Sequence, residues 1–72
     1  GLAGEVREAL WAIALARGEQ LLLQARLDAA SALEADVARR VAAGDLAPAD
    51  QLLARAERLA ADVAMQQSRA RG

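Results

Sequence analysis

Between residues 5 and 42 the apolar positions climb a heptad ladder. Val6, Ile13, Leu27 and Val41 stand seven or fourteen apart, and Ala9, Ala16, Leu23, Ala30 and Val37 form a companion ladder three residues on. Gln20 and Glu34 interrupt the first ladder, and Arg17 breaks the row that starts at Leu10, so the seam is narrow and accepts polar contacts. The segment contains no Pro and one Gly among strong helix formers, which predicts a single helix about 55 Å long at about 1.5 Å per residue. Gly18 is the one place where that helix would split, at a cost of about 1 kcal/mol against Ala in a helix interior. No Pro or capping residue accompanies it, so a continuous helix is favoured, with a three-helix bundle broken at Gly18 as the alternative.

Residues 43–48, Ala-Gly-Asp-Leu-Ala-Pro, are the clear punctuation. Gly44 suits the left-handed position just past a helix end, and Pro48 suits the first turn of the next helix, where its missing N–H costs nothing. Asp50 falls in that first turn, where a carboxylate accepts free backbone N–H groups and meets the positive end of the dipole. Ala47, at the N-cap, is a poor choice by propensity. Beyond it, Leu52, Leu53, Ala56, Leu59, Ala60, Val63 and Ala64 form a stripe at helical spacing, with Arg55, Glu57, Arg58 and Asp62 assigned to other faces.

A short glycine-containing link makes the two helices antiparallel neighbours. The expected fold is all-α: one helical hairpin spanning residues 1–72, with helices over about 5–42 and 48–70 and a turn at 43–47. Its Ala-rich seams let helix axes approach closely. Counting outward from the turn, the second helix runs out opposite Glu19. Val6, Leu10, Trp11, Ile13 and Leu15 are left without an intrachain partner, which marks Val6, Leu10, Trp11 and Ile13 as a self-association surface and opens a route to a four-helix bundle.

Composition narrows the chemistry. Of 72 residues, 21 are Ala and 12 Leu, with a single aromatic and no Cys, His or Lys. A chain of this length buries too little surface to stand easily alone, which suits an oligomer or a piece of a larger protein. Without His or Cys the usual nitrogen and sulfur metal ligands are missing, as are a thiol and an imidazole for catalysis, so neither a metal, a cofactor nor a catalytic residue is expected. Asp28, Glu34 and Asp36 share a helix without sharing a face, so no acid–base pair is assembled. Nine Arg against ten acidic residues give a net charge of −1, with no field to gather nucleic acid. The longest uncharged stretch, residues 9–16, is far short of the roughly 20 apolar residues of a bilayer span.

The run from Val37 to Ala56, through Arg39-Arg40-Val41-Ala42-Ala43-Gly44-Asp45-Leu46-Ala47-Pro48-Ala49-Asp50, resembles a repeat of the TolC-like outer-membrane efflux channels, most closely their heavy-metal efflux branch. In that family a long helix ends in an Arg-rich or Tyr-containing turn. Gly, two variable residues, Ser or Thr, two more residues, Asp and a Leu/Ala helix then follow; Gly44 to Asp50 has the same six-residue step. The upstream segment from Val6 through Trp11 to Ala16 is similar to the start of the same helix pair, so the resemblance spans nearly the whole chain. The departure is Ala47-Pro48, where the family carries a hydroxyl cap before a non-Pro residue.

The resemblance implies a homotrimer whose twelve long helices form a periplasmic tunnel on an outer-membrane barrel, with this hairpin as one coiled-coil pair. The turn would meet the hairpin tips of a membrane-fusion adaptor in a tripartite pump with an inner-membrane component. Gly44, Asp45, Leu46 and Ala47 would dock, and Asp50 and Arg40 would supply tip or gate contacts. Each residue also has a plainer role: Gly44 in backbone geometry, Asp50 as a first-turn carboxylate, Leu46 as a helix-end apolar contact and the Arg39-Arg40 pair as cations complementing the dipole. Trp11 fits core or interface filling. The competing functions are the adaptor's own coiled-coil hairpin and a free-standing helical interaction module.

Overall fold

A computed structural model describes residues 2–71, with side chains from residue 4 onward. Two helices account for nearly all of it: α1, Leu2–Ala42, and α2, Pro48–Arg71. They pack antiparallel into a rod with extents of 64 × 16 × 11 Å. The ends that flank the turn, Ala42 and Pro48, fall where the sequence put them, while α1 begins at Leu2, three residues ahead of the expected start at about residue 5. α1 passes through Gly18 without interruption, which overturns the three-helix alternative. The reason is local: a lone Gly weakens a long helix by about 1 kcal/mol, too little to break it when no competing turn signal is present.

The α1 seam follows the ladders in the sequence. Ala30 and Val37 are buried, and Leu23, Leu27, Glu34 and Val41 are half-buried on the same side, a repeat of four and three residues that keeps one narrow stripe facing the partner. Small side chains dominate the opposite wall. Ala54, Ala61, Met65 and Ser68 are buried, Ala61 completely, with Arg58 half-buried between them. Among the described residues no large side chain is fully buried, so the interface depends on close approach of the two axes rather than on large apolar layers.

The stripe expected on α2 faces the other way. Leu52, Leu53, Leu59 and Val63 are exposed, as are Ala56 and Ala60, and only Ala64 is half-buried; Arg58, assigned to another face, lies in the seam. Polar pairing accounts for this orientation. Arg58 donates to Glu34 across the seam, Arg26 Nη2 donates to Glu57 Oε1 at 3.0 Å and Arg71 Nη2 to Glu19 Oε1 at 3.0 Å. Turning the leucines inward would separate all three pairs and set Leu52 and Leu59 against a wall spaced for alanine.

α2 ends opposite Glu19, as the unequal arms required. On the α1 arm beyond it, Val6, Leu10, Trp11, Ile13 and Leu15 are all more than half exposed.

Candidate functional site: the hairpin tip

The turn is built from two helix-end devices placed back to back. At the end of α1, Gly44 takes φ = 82°, a conformation that costs an L residue with a Cβ roughly 1–2 kcal/mol. Its N–H donates to the Val41 carbonyl at 3.0 Å and the Asp45 N–H to the Arg40 carbonyl at 2.8 Å. These are the paired 5→2 and 6→1 bonds of a Schellman motif, and they satisfy carbonyls that the helix itself leaves open.

At the start of α2, Pro48 is the first helical residue and Ala47 the cap. The Asp50 Oδ2 accepts the Ala47 N–H at 3.2 Å, and the Asp50 N–H donates to the Ala47 carbonyl at 3.0 Å. This is one half of a capping box: the acid reaches back to the cap, but the Ala47 methyl has no oxygen to accept a helix N–H in return.

The six tip residues singled out from sequence, Arg40, Gly44, Asp45, Leu46, Ala47 and Asp50, therefore cluster at one end of the rod. Their side chains are engaged to different degrees. The Arg40 Nε donates to Asp36 Oδ2 at 2.9 Å and Arg39 Nη2 to Asp36 Oδ1 at 3.3 Å, so both cations share a carboxylate one turn back along α1. Asp50 is occupied by the cap. Leu46 is half-buried, and Asp45 and Ala47 are exposed with no side-chain hydrogen bond among the described residues. The surface offered to a partner is thus the 44–47 backbone, the Asp45 carboxylate and part of Leu46. Arg40 and Asp50 would have to exchange existing bonds to reach one.

Val6, Leu10, Trp11 and Ile13, expected from the sequence to be a self-association surface, lie far from the tip, exposed on the projecting α1 arm. An open cleft of about 310 Å³, lined by Arg17, Gln20, Leu21, Gln24, Met65 and Arg69, sits where α2 runs out. Among the described residues no group of three or more His, Cys, Asp or Glu is placed to hold a metal ion, and no helix is long and apolar enough to cross a membrane.

Sequence reasoning missed the cross-arm pair of Glu34 and Arg58 and the inward row of Ala54, Ala61, Met65 and Ser68. The signal was present in spacing, because 54, 58, 61, 65 and 68 repeat the four-and-three alternation of α1, but Leu content outweighed it.

No family model matches the chain, and no curated protein or solved structure matches it either.

Proposed function

We propose that the hairpin is a structural segment of a helical tunnel, the periplasmic part of a TolC-like outer-membrane efflux channel, with its turn docking a membrane-fusion adaptor. The observation that carries this reading is that α2 has two packing faces. Its inner face meets α1 through small residues. Its outer face, Ala49, Leu52, Ala56, Leu59, Ala60, Val63, Gln66, Gln67 and Ala70, contains no charge, with Arg55, Asp62 and Arg69 along one edge and Arg71 at the other. A helix with solvent on its far side normally places its charges there; here Glu57, Arg58 and Arg71 are drawn to the seam and its flanks. Helices with packing faces on both sides suit a layer in which each lies between two neighbours, as tunnel helices do.

The tip supports the same reading. A Schellman turn followed by Pro48 fixes the link without bulky side chains, giving a small, well-defined end for a second hairpin to meet. In the intact complex the partners would be the adaptor hairpin and, through it, an inner-membrane pump, with the channel a homotrimer.

The test is a photo-crosslinking benzoylphenylalanine at Leu46 in cells that make the parent protein. An adduct whose tryptic peptides come from the coiled-coil tip of a membrane-fusion adaptor is expected. Adducts confined to other proteins, or none while Trp11 substituted in the same way crosslinks efficiently, would contradict the proposal.

A further inference from the structure

The outer face of α2 has a pattern of its own. Ala49, Leu52, Ala56, Leu59, Val63, Gln66 and Ala70 repeat at alternating intervals of three and four, the spacing of a second coiled-coil seam. Arg55 and Asp62, of opposite sign and seven residues apart, run along one edge of that seam. Neither has an ion-pair partner among the described residues of the hairpin, nor does Arg69 further along the same edge, whereas Glu57 and Arg71 pair with α1 across the inner seam.

We infer that this face binds the same face of a second copy of the chain, antiparallel, with the twofold axis between Ala56 and Leu59. Two antiparallel registers lay the seam rows directly on one another. In the first, Ala56 faces the partner copy's Leu59, Leu52 faces its Val63 and Ala49 its Gln66, and the flanking positions bring each Arg55 to the other copy's Asp62, giving two reciprocal ion pairs. In the second, with the axis between Leu59 and Val63, the two Asp62 side chains meet and each Arg55 meets the other copy's Arg69, like-charge contacts with no compensating partner. Charge therefore selects the first register, and alternation of small and large residues fills it. A twofold contact of this kind is isologous and closes at the dimer.

This inference does not rest on the tunnel assignment. In a tunnel all tips point one way, whereas the pair sets them at opposite ends, so the dimer is the form the chain takes outside the tunnel, through the same face. The four-helix assembly it produces leaves both tips free.

The experiment uses the whole 72-residue chain, which has no native cysteine. Mixed-disulfide formation under mild oxidation is compared for Ala56→Cys with Leu59→Cys and for Leu59→Cys with Val63→Cys, and sedimentation equilibrium is run on the parent chain, Leu59→Asp, Arg55→Asp, Asp62→Arg and the double swap, with helicity checked by circular dichroism. Expected are faster mixed-disulfide formation between residues 56 and 59 than between 59 and 63, loss of the dimer in Leu59→Asp, roughly tenfold weaker dimerisation for each charge reversal and recovery in the double swap. A monomer at every concentration, faster crosslinking between residues 59 and 63, or a double swap no tighter than the single variants would overturn the proposal. Self-association that survives Leu59→Asp would place the contact on the projecting α1 arm and also overturn it. None of these results depends on an adaptor, so failure here is separate from failure of the Leu46 crosslink.

Discussion

Glu34 accepts a hydrogen bond from Arg58 across the middle of a seam otherwise lined by Ala, Val, Leu, Met and Ser. Their side chains are 21% and 33% exposed, sheltered enough for the pair to matter and wet enough that neither charge is stranded. The pair also fixes which face of α2 turns inward, because no leucine on that helix can take the place of Arg58 opposite Glu34. Such a polar contact sets register at some cost in stability.

Glu34→Ala removes the acceptor and leaves the guanidinium to find water at the seam edge. A loss of about 1 kcal/mol in chemical unfolding is expected. Replacing both Glu34 and Arg58 by Leu should return most of that loss while allowing the arms to slip, visible as altered crosslinking between cysteines placed on the two helices.

Gly44→Ala forces a Cβ into the left-handed region at φ = 82°. The space around it is open, so the cost is backbone strain alone, about 1–2 kcal/mol, read as a lower Tm. Gly18→Ala should do the opposite. No atom lies within 4 Å of the added Cβ, and the substitution raises helix propensity, so stability should rise by roughly 0.5–1 kcal/mol.

Ala47→Ser supplies the missing half of the capping box opposite Asp50. A gain of about 1 kcal/mol is expected, with no change at the far end of the rod by hydrogen exchange. If Ala47 is also a docking position, the added hydroxyl should alter the yield of the Leu46 crosslink.

Ala61→Leu tests the close approach of the axes. Ala61 is 0% exposed, so the larger side chain pushes the arms apart and should cost about 1–3 kcal/mol. The same change at Ala60, on the outer face, should leave monomer stability nearly unaffected.

Much of this fold was legible in the residues. The heptad ladders located the α1 seam, and Gly44, Pro48 and Asp50 located the turn to the residue, because each demands a particular backbone geometry. The α2 face was misjudged for a physical reason: apolar content identifies surface that avoids water, not the neighbour that covers it. Leu52 and Leu59 form a more apolar stripe than Ala54 and Ala61, yet closeness of approach and three cross-arm ion pairs turned the small residues inward. The tip's position was evident from sequence; the engagement of Arg40 with Asp36 and of Asp50 with the Ala47 N–H was not, since both depend on rotamers.

The central proposal is that this hairpin is a packing element whose outer face on α2 is covered by another helix. Sedimentation equilibrium of the chain across a concentration series tests that most directly. A mass rising from 7.5 kDa toward twice that value, and held at the lower value by Leu59→Asp, is predicted. A fully helical monomer at every concentration would contradict it.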